Sequence, residues 1–157
     1  MPVEVGQQAP GFTLKSEENE DVSLKDFKGR KNVVLVFFPA AFSSFCTDQL
    51  TAVGANEARY ASERAQVIGI SVDNRHANKA FAAQLGLTDT ILLSDFEPKG
   101  AVAREYGVYL EGPGLSGRAT FVIDKAGVVQ YRALTNAPTE IPDEEAYFSA
   151  GLAACTV

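Results

Sequence analysis

The chain has 157 residues, of which 46% are hydrophobic and 22% charged, the make-up of one soluble globular domain with enough length to bury a core. Its net charge of −6 and pI near 4.8 leave no basic stripe for nucleic acid or for an anionic membrane surface. No apolar run approaches the roughly 20 residues that span a bilayer, and residues 1–6 lack the basic-then-apolar pattern of a secretory signal, so the expected location is cytoplasmic.

Residues 12–14 and 22–24 alternate in polarity around a charged turn, which predicts an N-terminal β-hairpin. Gly29, Arg30, Lys31 and Asn32 break the chain before the apolar run 33–38, which reads as a buried strand. A helix is expected over 47–63, with Leu50, Val53, Ala58 and Ala61 on its buried stripe. Gly54 weakens that helix locally, by about 1 kcal/mol against alanine. A second buried strand is expected over 67–72, followed by a helix over 75–85 that Asp73 or Asn74 caps and Gly86 ends. Residues 91–93 read as a short strand, 100–106 as a short helix, 120–123 and 128–134 as a hairpin, and 142–154 as a closing helix. There is no repeat and no linker-like stretch, so residues 1–157 are expected to form a single domain. The order predicts an α/β fold with a mixed central sheet flanked by helices on both faces.

Only two cysteines occur, Cys46 and Cys155, which excludes both a disulfide-stapled scaffold and a zinc site built on cysteine pairs. Cys46 follows the apolar strand and stands near the start of a helix. Unpaired backbone N–H groups and the positive end of the helix dipole favour a thiolate there. A thiolate is a nucleophile, and the hydroxyl of Ser43 lies one helical turn before it.

Pro39, three residues, Ser43, two residues and Cys46 form a spacing that resembles the signature of the peroxiredoxins, the AhpC/TSA-type thiol peroxidases. The resemblance continues through Gly6-Gln7-Gln8-Ala9-Pro10, Val36-Phe37-Phe38-Pro39, Ile70-Ser71-Val72-Asp73, Leu93-Ser94-Asp95 and Arg118-Ala119-Thr120-Phe121. It is most similar to the AhpE-type branch. It implies a thioredoxin fold with an added N-terminal β-hairpin. It also implies reduction of hydrogen peroxide and organic hydroperoxides without metal, haem or flavin. Cys46 would be the attacking thiolate, Ser43 a hydroxyl that binds the peroxide, Arg118 a fixed positive charge and Pro39 a shield against water. Phe42 and Phe45 are candidate walls of the peroxide pocket or of a dimer contact, with plain core packing as the alternative.

Oxidised Cys46 must be reduced again, by Cys155 or by an external thiol of thioredoxin, glutaredoxin or low-molecular-weight type. Cys155 lacks the context of a C-terminal resolving cysteine, and an apolar helix contact is the competing reading. A homodimer is expected from the resemblance. Three positions depart from it: most relatives have threonine where Ser43 stands, many have glutamate where Gln49 stands, and many have histidine where Asn78 stands. Two other functions stay open. A redox-sensing or holdase-like protein would use Cys46 oxidation as a switch; a disulfide oxidoreductase is weaker, because no Cys-x-x-Cys pair exists. The run Gly112-Pro113-Gly114-Leu115-Ser116-Gly117 matches a dinucleotide fingerprint in letters only, since a strand follows it, and reads as a loop that positions Arg118.

Overall fold

The apolar run after Gly29 becomes a strand whose six residues, Asn32–Phe37, are all buried, which requires cover on both faces of its sheet. Val33, Leu35 and Phe37 enter one apolar core, and Val34, Val36 and the following Phe38 enter the other, as a two-residue side-chain period dictates. The structure, a computed structural model, describes residues 1–137 and 139–155.

In chain order, β1 (Thr13–Ser16) and β2 (Asp21–Ser23) form the expected hairpin with Leu14 opposite Val22. β3 (Asn32–Phe37) leads through α1 (Ser44–Ala55) and α2 (Glu57–Ser62) to β4 (Ala65–Ser71), which lies parallel to it. α3 (Arg75–Leu85) carries the chain to β5 (Ile91–Ser94), also parallel to β4. After α4 (Ala101–Glu105), the short strands β6 (Tyr109–Leu110) and β7 (Leu115–Ser116) pair with each other. β8 (Ala119–Ile123) then pairs antiparallel with β3, and β9 (Val129–Leu134) pairs antiparallel with β8. The main sheet has seven strands in the order β2-β1-β5-β4-β3-β8-β9. Among the described residues, no helix is long and apolar enough to cross a membrane.

Three expectations are corrected. The helix expected over 47–63 starts earlier, at Ser44, and is two helices, broken at Asn56, whose φ of −108° and ψ of 11° leave the helical region. The break rotates the second piece, so Tyr60 is buried while Ala58 and Ala61 are exposed. Tyr60 donates its hydroxyl to Glu144 at 2.7 Å. Of the two caps expected for α3, Asn74 is the one used, its Oδ1 accepting from Ala77 N at 3.0 Å. The terminal helix begins at Glu144 and is irregular: α5 (Glu144–Ala146), a wide π-turn over Tyr147–Gly151 and a 3-10 turn over Leu152–Ala154. Close packing there requires glycine at 151, because a Cβ would lie 2.7 Å from Val122 Cγ2. Gly54 has a similar reason to be glycine, since its Cβ would come within 2.9 Å of Leu87 Cδ2. The glycine-rich run before Arg118 spans the tip of the β6–β7 hairpin at Gly112-Pro113-Gly114, the strand β7 and Gly117, whose N bonds Val108 O at 2.7 Å.

Candidate active site

The chain leaves β3 at Phe38, whose N–H still bonds Ile70 O at 3.0 Å, and turns at the buried Pro39. Ala41 N donates to Asp73 Oδ2 at 2.8 Å. Phe42 follows with φ of 70°, a left-handed conformation that a bulky side chain rarely holds. Its ring rests on Phe81, with centroids 5.1 Å apart, which helps to hold it there. Ser43 occupies the N-cap position of α1, yet its hydroxyl makes no capping bond. It donates instead to Ala40 O at 2.9 Å.

The first helical bond closes from Thr47 N to Ser43 O at 2.8 Å. The N–H groups of Ser44, Phe45 and Cys46 therefore have no acceptor within the helix. Cys46 is the third residue of α1 and is completely buried, its sulfur among Val34, Val36 and Leu50 of the second core. Phe42 and Phe45 are 47% and 40% exposed, so neither is a core residue.

Arg118 arrives from the far part of the sequence. The antiparallel register sets Ala119 opposite Phe37, which delivers the preceding residue to the end of β3 where the Cys46 turn starts. The Arg118 carbonyl accepts from Thr135 N at 3.3 Å and from Thr135 Oγ1 at 3.1 Å, pinning its backbone. Its guanidinium is 4% exposed and donates from Nη1 to Cys46 Sγ at 3.3 Å and to Gln49 Oε1 at 2.7 Å. Arg118 and Pro39 share the wall of a cleft of about 200 Å³ with Val108 and Leu110. Near Gln49, one turn after Cys46, the hydroxyl of Tyr147 bonds Thr120 Oγ1 at 2.8 Å. Burial pushes that phenol up to about 12, so it stays protonated.

Cys155 lies elsewhere. It is half-buried after the last 3-10 turn, and its thiol donates weakly to Gly151 O at 3.6 Å. Burial, and then the charge of Asp124, push the thiol up to about 11. Asp124 follows the last residue of β8 and Arg118 precedes the first. At ~3.3 Å per residue the strand sets those two positions on the order of 20 Å apart.

The AhpC/TSA family model matches residues 5–132. The chain is 38% identical over 152 residues to alkyl hydroperoxide reductase E of Mycobacterium tuberculosis, covering 97% of each. The chain belongs to the AhpC/TSA family. It is 46% identical over 130 residues to chloroplastic peroxiredoxin Q of Triticum aestivum, covering 82% of this chain and 58% of that one. It is 34% identical over 150 residues to a mitochondrial thioredoxin-dependent peroxide reductase of Bos taurus, covering 90% and 57%. The solved structure of peroxidoxin BcpB from Mycobacterium tuberculosis superposes with a TM-score of 0.81 at 28% identity, covering 96% and 95%. The fold is thus the thioredoxin fold in its peroxiredoxin form, and the protein is a thiol-dependent peroxide-reducing enzyme.

Within this family member the three departures have physical answers. Gln49 still accepts from Arg118 without a formal charge. Asn78 is fully buried and bridges strands, donating to Ser94 Oγ at 3.2 Å, with its Oδ1 3.4 Å from Ser71 Oγ. Ser43 keeps its hydroxyl, held on Ala40 O. The sequence reading missed the contacts of Asp73 and Tyr147. Asp73 is legible as part of Ile70-Ser71-Val72-Asp73, where the sequence offers it as one of two caps for α3. Nothing local marked Tyr147, which meets the site only through the packing of the last helix.

Proposed function

We propose that Cys46 is the sulfur that attacks the peroxide, with Arg118, Ser43 and Pro39 completing the site. One observation carries the reading: a guanidinium lies 3.3 Å from a fully buried sulfur 72 residues away in sequence. A buried cation beside sulfur stabilises the thiolate and the charge that develops on the departing oxygen. In the reaction the thiolate forms an S–O bond with one peroxide oxygen as the O–O bond breaks. The other oxygen leaves as hydroxide or alkoxide and takes a proton to become water or alcohol. Cys46 is left as a sulfenic acid. The free N–H groups of Phe45 and Cys46 face the anion from the helix start, and the Ser43 oxygen is available to accept from the incoming peroxide. Pro39, with no N–H, keeps one side of the sulfur dry. Phe42 and Phe45 are the exposed rings on the approach to this turn, and we assign them to the pocket wall.

An external thiol then attacks the sulfenic acid to give a mixed disulfide and water, and a second thiol releases Cys46. The strand length between the two cysteine environments and the raised Cys155 thiol support an external reductant over Cys155. The thioredoxin dependence printed in the name of the bovine relative makes thioredoxin the first reductant to try. We read residues 1–157 as one domain, because the main sheet joins both halves of the chain. We read the assembly as a homodimer that covers the exposed rings of Phe42 and Phe45, and the location as the cytosol, where free thiols such as Cys46 and Cys155 persist.

The test is intact-mass analysis after one equivalent of hydrogen peroxide, with steady-state turnover on a dithiol alongside. Sulfenic acid on Cys46 and sustained turnover are expected. A chain that oxidises once and stops is a sensor, and an internal Cys46–Cys155 disulfide rejects the external reductant. Sedimentation and cell fractionation check the dimer and the cytosol.

A further inference from the structure

We propose that Asp73 is a positioning residue for the peroxide reaction, acting on Ser43 through the peptide that joins Ala40 to Ala41; this rests on the reading of Cys46 as the attacking sulfur. That peptide is gripped at both ends. Its N–H, on Ala41, donates to Asp73 Oδ2 at 2.8 Å. Its C=O, on Ala40, accepts from the Ser43 hydroxyl at 2.9 Å. The peptide unit is planar, with N–H and C=O pointing in opposite directions, so the carboxylate that fixes one end sets the direction of the other. A charge-assisted bond to the N–H is short and strong. It also polarises the peptide, which makes the carbonyl a better acceptor for Ser43.

Asp73 can do this because it is itself held. Ser71 Oγ donates to Asp73 Oδ2 at 2.8 Å, and Asp73 N donates back to Ser71 Oγ at 3.3 Å. Behind them Asn78, fully buried on α3, contacts Ser71 Oγ, Ser94 Oγ and Leu93 O. Asp95 N bonds Ser71 O at 2.8 Å. The polar cluster thus ties the ends of β4 and β5 together, and Asp73 extends from it to the turn that carries Ser43 and Cys46. The turn needs such a tether, since its own Phe42 is in the left-handed region and Ser43 and Phe45 are exposed.

The experiment measures two second-order rates of Cys46 in each variant, with hydrogen peroxide and with iodoacetamide. Alkylation needs a thiolate but no Ser43, and Cys46 is fully buried, so a loosened turn does not slow it. Asp73→Ala is expected to lower the peroxide rate roughly 10- to 100-fold, with the iodoacetamide rate unchanged or raised. Asp73→Asn keeps an acceptor for Ala41 N and is expected within about 5-fold of wild type. In a Ser43→Ala background Asp73→Ala is expected to cost less than about 3-fold, because the group it positions is gone. Ser71→Ala removes the hydroxyl under the carboxylate. It is expected to move the peroxide rate in the same direction by less, and it serves if Asp73→Ala does not fold.

A peroxide rate within about 2-fold of wild type in Asp73→Ala overturns the proposal. So does a matched fall in both rates, or an equal cost with and without Ser43. If Cys46→Ser still consumes peroxide, the site reading itself fails. If Cys46→Ser is dead and Asp73→Ala is normal, only the role of Asp73 fails.

Discussion

At the Arg118 end of β8 a cysteine sulfur is fully buried, yet it faces a guanidinium and the opening turn of a helix. At the Asp124 end another cysteine is half-buried, yet burial and the charge of Asp124 push its thiol up to about 11. Exposure alone would rank Cys155 as the reactive one. The charge beside each sulfur argues the other way and is why we propose Cys46: a guanidinium favours the nucleophilic form of a cysteine and a carboxylate opposes it. The same strand supplies both environments: its first end holds a cation by register with β3, and its second end turns over an aspartate.

The largest test of that contrast removes the buried sulfur. Cys46→Ser is expected to abolish peroxide consumption with a dithiol, since no alkoxide forms at neutral pH to replace the thiolate. Retained turnover would break the comparison outright. Arg118→Ala should slow Cys46 oxidation roughly 10- to 1,000-fold in stopped-flow traces, the scale of losing one charge-stabilising donor. Arg118→Lys should not restore it fully, because a flexible ammonium lacks the rigid planar fork that holds the guanidinium between Cys46 and Gln49.

A smaller effect is expected from Gln49→Leu, which takes away the Arg118 acceptor while leaving the cation. The peroxide rate should fall by about 10-fold or less, and a fall as large as that of Arg118→Ala would mean that Gln49 touches the reaction itself. At the other end, Cys155→Ser should leave the rate of the first oxidation unchanged. A slower first oxidation would place Cys155 in the site.

The smallest effect is one of pH. The folded Cys155 thiol titrates at about 11, above its ordinary 9.0. The folded state therefore holds that proton more tightly than the unfolded one. The stability it contributes is complete below pH about 9.0 and is lost as pH rises toward about 11. Urea midpoints of wild type and Cys155→Ala, taken across that window, should converge at its upper end. Parallel curves would deny the perturbed thiol.

Much was legible because it was local. The apolar run 33–38 could only be a buried strand, the charged turn after Phe12-Thr13-Leu14 could only return as a hairpin, and Gly100 and Tyr106 do bound α4. The spacing of Pro39, Ser43 and Cys46 holds all three on one strand-to-helix turn, so their nearness needed no tertiary information. Arg118 was named through resemblance to a family and not through any local pattern. Its distance to Cys46 depends on the pairing of Ala119 with Phe37, a register that no short window of sequence contains.

Tertiary structure alone decided the rest, because each item requires two distant segments to meet. Asn56 breaks the helix so that Tyr60, and not Ala58 or Ala61, turns inward to meet Glu144. Asp73 abandons the cap to Asn74 because a peptide N–H of the Cys46 turn arrives beside its carboxylate. The last helix widens at Tyr147–Gly151, where Gly151 presses on Val122 and Tyr147 meets Thr120. Sequence by itself determined the candidate nucleophile and its turn, since these follow from residue types at short spacing, and it carried the resemblance that implies the class of chemistry. Packing decided which charge meets which sulfur, since that depends on strand register and on how far apart the ends of β8 lie.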